Sequence, residues 1–226
     1  MDTIQPNLFY LSGPHGSGKS SLGKKLTTIN PEIVMPDLYS RNIKFYTEPT
    51  YRQMLKIAGR AIENFEYLQI AKDNPEKVIL GNRCIYDVKA YNWVYKSRGW
   101  ITKNTYQLEL TYGSAFFREE NKEPLAIIVN PGFDVVKKHL EKRWAESGKK
   151  WHEEDMEYAS LACKAYEIFR YSDRVLYVDR EVDLESNKGL DDIIKWITAS
   201  RKQYTESEKN NEEDAEQRIH FYIRTH

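Results

Sequence analysis

The sequence predicts an α/β protein with a central parallel sheet of about five strands, helices on both faces and a helical lid. Three observations lead there. Short, near-continuous apolar runs recur along the chain, and such runs suit strands buried on both faces. Segments with helical spacing separate them, so strands and helices alternate and the crossovers between them are right-handed. Each run ends in turn or polar residues, which puts chemistry-bearing side chains at the carboxyl ends of the strands, where open parallel sheets bind ligands.

In chain order, Leu8 to Leu11 is the first strand, followed by a glycine-rich stretch and a helix from Lys19 to Thr28. Ile43 to Tyr46 reads as the second strand, ending in Thr47-Glu48-Pro49, and Arg52 to Ala71 carries apolar residues at helical spacing. Lys77 to Leu80 is the third strand and leads into Gly81-Asn82-Arg83, with helices expected around 88–97 and 103–118. Leu125 to Val129 is the fourth, before Asn130-Pro131-Gly132, with helices around 133–145 and 153–171. Arg174 to Val178 is the fifth, before Asp179, and a last helix spans Asp191 to Arg201. There is no internal repeat. This reads as one domain over 1–203, with a lid at about 142–155 and a charged tail over 204–226. The tail is first polar and acidic, then apolar and basic, which suits an ordered appendage or a disordered one.

A chain of 226 residues supports one sizeable core. Lys plus Arg and Asp plus Glu both number 34, so the net charge is zero and a long nucleic-acid duplex is not the favoured partner. The 16 tyrosines argue against a disordered chain. Cys84 and Cys163 lack metal-ligand spacing and read as reduced thiols. The N-terminus has no basic segment followed by a long apolar stretch, and no run approaches the roughly 18 apolar residues of a membrane span, so a cytoplasmic protein is expected.

The stretch Gly13-Pro14-His15-Gly16-Ser17-Gly18-Lys19-Ser20 satisfies G-x-x-x-x-G-K-[ST] between a strand and a helix. Glycines let backbone N–H groups turn inward onto phosphate oxygens, and the helix N-terminus adds a favourable dipole. Lys19 is expected to reach the β and γ phosphates of ATP, Ser20 to bind Mg²⁺, and Ser21 to close the loop's donor site. His15 reads as backbone filler. Such a loop serves kinases, motors, switch GTPases and transport ATPases alike. Neither Asp-x-x-Gly nor Asn-Lys-x-Asp occurs, which removes switch GTPases, and the third strand ends in Asn82 where a Walker-B ATPase ends in Asp. A small P-loop kinase is left.

Further residues carry a resemblance. Asn82-Arg-Cys-Ile-Tyr-Asp-Val-Lys-Ala-Tyr-Asn92 resembles the Asp-Arg-Tyr-x-x-Ser-x-x-Ala-Tyr-Gln block of thymidylate kinase-like nucleotide kinases, with Arg83, Ala90 and Tyr91 matching. Thr47-Glu48-Pro49 looks like the Glu-Pro turn of that family and of the neighbouring deoxynucleoside kinases. Arg60 sits where thymidylate kinases have an arginine that helps read the base, and Lys142 to Lys150 with Glu153 to Asp155 resembles the lid. The likeness covers about residues 7 to 200.

The resemblance implies ATP-dependent phosphoryl transfer to a nucleoside monophosphate, or in the alternative to a nucleoside hydroxyl. Arg83 would bind an acceptor phosphate in bidentate fashion. Glu48 would take a hydroxyl proton as base, or hold a Mg²⁺-bound water. Arg143, with Lys149 and Lys150, would close the lid on the donor phosphates. Arg60, Asp87 and Tyr91 would surround the acceptor's base and sugar. Asn82 and Asp87 depart from the family pattern, and the charge missing at Asn82 keeps a catalytically weakened nucleotide-binding regulator among the readings. A small nucleotide or nucleoside is the expected partner, and related kinases dimerise through helices.

Overall fold

The protein is described from a computed structural model, over residues 6–38, 48–117, 124–148, 154–182 and 189–203. Five parallel strands lie in the order β2-β3-β1-β4-β5. They are β1 (Leu8–Ser12), β2 (Ile33–Val34), β3 (Val78–Asn82), β4 (Ala126–Val129) and β5 (Val175–Val178). Every residue of β1 and β4 is buried, as a two-sided sheet requires.

The helices are α1 (Lys19–Ile29), α2 (Pro49–Asp73), α3 (Ile85–Ser97), α4 (Lys103–Phe117), α5 (Phe133–Ser147), α6 (Met156–Glu167) and α7 (190–203). Side-chain alternation along β1 divides the core in two. Leu8 and Tyr10 face one layer with residues of α2, α3 and α6. Phe9 and Leu11 face the other, with Leu22, Leu26, Ile193 and Ile197 of α1 and α7. Four of the five expected strands are present among the described residues. The expected Ile43–Tyr46 strand, Lys149, Lys150, Glu153 and the 204–226 tail lie outside the described residues, and β2 of the described sheet is the short Ile33–Val34. Among the described residues, no helix is long and apolar enough to cross a membrane.

Two local devices place the site. Gly13 ends β1 with φ +138°, and a side chain there would run into the Val129 carbonyl on β4, so only glycine lets the chain turn into the loop. Asp87, at the third position of α3, closes a capping box by accepting from the Cys84 N–H at 2.9 Å. That cap ties the end of β3 to the start of α3 at Arg83.

Candidate active site

The phosphate loop lines a cavity of about 710 Å³ with His15, Gly16, Ser17, Gly18, Lys19, Ser20 and Ser21. Gly13 and Pro14 contribute through their carbonyls, which accept from Lys19 Nζ at 2.8 and 2.7 Å. Burial and then the Arg83 guanidinium push the Lys19 ammonium well below its usual range. A phosphate bound in the loop would give this ammonium a close anionic partner. Arg143 lines the same cavity from α5, where the lid was expected.

A second cavity of about 200 Å³ is lined by Gln53, Lys56, Arg60 and Glu63 of α2, with Asp87 and Tyr91 of α3. His15, Arg60 and Arg83 line both cavities, so these three side chains mark where they meet.

Arg83 has φ +71°, the one non-glycine among the described residues in the left-handed region. Its Nη1 donates to Asp87 Oδ1 at 2.5 Å and to the Gly13 carbonyl at 3.4 Å. Burial works against its charge, but Asp87 outweighs that and holds the guanidinium protonated. Arg83 Nη2 lies 3.4 Å from His15 Nδ1. A guanidinium only donates, so Nδ1 accepts and the imidazole proton sits on Nε2. Burial, then Arg83, hold His15 well below the usual histidine range, which keeps it neutral. Its backbone N–H donates to the Tyr91 hydroxyl at 3.1 Å. The reading of His15 as filler is therefore corrected: it joins the loop to Arg83 and Tyr91.

Asp87 is also placed differently from expectation. Oδ1 accepts from Arg83 and from the Tyr166 hydroxyl at 2.6 Å, while Oδ2 accepts from Ser12 at 2.5 Å and from Cys84 N–H. Four donors fill the lone-pair sites of a carboxylate. Burial alone would raise its pKa, yet Arg83 and Lys19 hold it below the usual range. Asp87 borders the second cavity, but in this arrangement it fixes Arg83 and has no lone pair left for a further donor.

Glu48 departs further. It is exposed, caps α2 by accepting from Tyr51 N–H at 2.7 Å, and lines neither cavity. That cap holds its carboxyl below the usual range. Arg60, expected beside a base, lines both cavities: its Nη1 donates to the Asn82 carbonyl at 3.0 Å and pairs with Glu63.

Sequence reasoning missed Gln53, Lys56 and Glu63, although a signal existed. Together with Arg60 they recur at three- and four-residue spacing and form one polar stripe on α2. Gln53 is fixed by donating to Asn92 at 2.5 Å. Burial, then Arg52 and Arg83, push Lys56 down to about 7. His139 on α5 was also missed. Its Nδ1 donates to the Gly16 carbonyl at 2.8 Å and its Nε2 lies 2.9 Å from Glu181, fastening the loop to the helix that carries Arg143.

No family model and no curated protein matches the sequence. Solved structures do. The deoxyadenosine kinase from M. mycoides with bound dATP superposes with a TM-score of 0.62 at 17% identity, over 84% of this chain and 98% of that one. The same kinase with products dCMP and a flexible dCDP gives 0.61 at 17%, over 85% and 99%. With bound dCTP it gives 0.53 at 16%, over 85% and 99%. What is shared at this identity is the architecture: the chain has the α/β P-loop fold of these deoxyadenosine kinases.

Proposed function

We propose that this protein is an ATP-dependent kinase that transfers a phosphoryl group to a hydroxyl of a deoxynucleoside. The loop cavity takes the ATP phosphates and the smaller cavity takes the acceptor. The observation that carries the choice of acceptor is charge balance in the smaller cavity. Its cations are Lys56, Arg60 and Arg83, and its anions Glu63 and Asp87. Arg83 and Arg60 are each paired with one of those carboxylates. Lys56 is pushed down to about 7 and His15 is neutral. A nearly neutral pocket suits an uncharged nucleoside better than a doubly charged monophosphate. The fold shared with deoxyadenosine kinases supports the same choice. A nucleoside monophosphate acceptor, the first expectation from the motifs, is the weaker reading.

The residues then divide the work of phosphoryl transfer, which is mostly positioning and electrostatic clamping. Lys19 leaves the loop carbonyls for the donor phosphates, and Arg83 and Arg60 face the transferring group from the junction. Arg143 closes from α5 and helps exclude water. Gln53 offers its amide to the acceptor's base, with Tyr91 beside it. Ser20 and Asn82 line the donor cavity with a hydroxyl and an amide oxygen, hard donors that fit Mg²⁺ alongside phosphate oxygens and water. The metal would supply neutralisation of phosphate charge. Glu48 does not fit as its ligand, being outside that cavity.

The test is product identity. The full-length protein is incubated with ATP and Mg²⁺ against deoxynucleosides, and products are read by mass spectrometry. The reading requires a deoxynucleoside monophosphate and ADP in equal amounts; ATP binding without any phosphorylated acceptor would instead favour a nucleotide-binding regulator.

A further inference from the structure

Transfer to a hydroxyl needs a group to take its proton, and Glu48, the carboxylate that the motifs nominate, is exposed and outside both cavities. Two carboxylates line the acceptor cavity, Asp87 and Glu63. Asp87 is filled by four protein donors, as described above. Glu63 is different. It is buried on α2, and one oxygen, Oε2, is held by Arg60 at the junction of the cavities. Its other oxygen, Oε1, takes no hydrogen bond among the described residues. One oxygen is fixed and one is open, which is how a base is aimed.

We propose that Glu63 is the general base of the transfer. This rests on the hydroxyl-acceptor reading above. The acceptor O–H gives its proton to Glu63 Oε1 as its oxygen attacks the γ-phosphorus of ATP. The new P–O bond forms as the bond to the β–γ bridging oxygen breaks, and ADP leaves with that electron pair. Arg60 keeps the carboxylate in place while also touching the Asn82 carbonyl, so the base is tied to the end of β3 where Arg83 sits. Asn82 occupies the position where the related kinases carry an acid, and Glu63 brings a carboxylate to the same strand end from α2.

Burial pushes Glu63 above the usual carboxylate range, opposed first by Arg60, with Glu66 adding to the rise and Arg83 opposing it. A base poised closer to neutrality transfers protons more effectively. Lys56 on the same helix and Asp87 on α3 are the other charged groups bordering the cavity.

The experiment is steady-state kinetics of Glu63→Gln and Glu63→Asp beside wild type, with a deoxynucleoside acceptor over a range of pH and with ATP binding measured separately. Glu63→Gln should lower kcat by about 10²- to 10⁴-fold, leave ATP affinity within about threefold and remove the acidic limb of the kcat profile. Glu63→Asp should restore part of the rate and the limb. Glu76→Gln, at an exposed carboxylate outside both cavities, should leave kcat unchanged. If Glu63→Gln keeps kcat within about threefold, or keeps the acidic limb while Glu48→Gln loses it, Glu63 is not the base. If wild type phosphorylates monophosphates and no nucleoside, the hydroxyl reading fails and the base falls with it. The wild-type acceptor profile therefore separates the two failures.

Discussion

Arg83 Nη1 and Asp87 Oδ1 stand 2.5 Å apart across one turn at the start of α3, and both side chains are almost wholly buried. The pair sets Arg83 in a left-handed backbone conformation at the point where the two cavities meet. Removing one partner of a buried pair leaves the other uncompensated. Asp87→Asn should therefore destabilise the protein by about 3–5 kcal/mol in urea unfolding and lower kcat as well. A loss below about 1 kcal/mol would mean that Arg83 is balanced by something else.

Lys19→Ala should abolish transfer with the fold intact. Among the described residues the ammonium is held by two loop carbonyls and Ser17, so its removal leaves the core untouched. Circular dichroism and a turnover assay check both halves, and residual transfer near the wild-type rate would contradict the donor assignment.

Lys56 gives a pH signature. Burial lowers its pKa to about 7, so between pH 7 and 8 the ammonium gives up its proton and the acceptor cavity loses positive charge. A nucleoside monophosphate, the proposed product, is a dianion across that window. Product inhibition should weaken from pH 7 to 8, and Lys56→Met should flatten the change. An inhibition constant that stays flat in wild type would remove Lys56 from the pocket's charge balance.

Glu109 on α4 predicts a stability effect remote from the chemistry. Among the described residues both its oxygens are buried without a hydrogen-bond partner, and burial, with Glu48 nearby, raises it to about 7. A carboxyl whose folded pKa is raised binds its proton more tightly when folded. Stability is then present at and below about pH 4.5 and falls as pH rises toward 7. Glu109→Gln should remove that loss, raising stability by about 2 kcal/mol at pH 8 and by little at pH 5. Equal stability of the two proteins at pH 8 would contradict this.

Much of this architecture was legible in the sequence for a physical reason. Strands buried on both faces must be apolar almost throughout, so β1, β3 and β4 announced themselves, the half-buried edge strand β5 kept a similar apolar run, and the glycine loop could be placed between β1 and α1 from residue types alone. The two-residue β2 left too short a run to detect. At the site, Lys19, Ser20, Arg60 and Arg83 were found because a motif carries them. His15 was placed in the loop without its side-chain contacts to Arg83, and Glu63 and Lys56 were missed, because these roles depend on which groups meet at the end of β3, and that is a tertiary fact. Asp87 was recognised as unusual, but its four donors come from β1, the β3–α3 turn and α6, a convergence that no local pattern records.

The central claim is that the acceptor presents a hydroxyl to a nearly neutral cavity. The most direct measurement compares kcat/KM of the wild-type protein for a deoxynucleoside and for its own 5′-monophosphate, with ATP and Mg²⁺ held constant. The account predicts the deoxynucleoside to be preferred by at least about tenfold, the discrimination expected from roughly 1.4 kcal/mol of differential binding. A preference of the same size for the monophosphate would contradict it and return Arg83 to the role of acceptor-phosphate ligand.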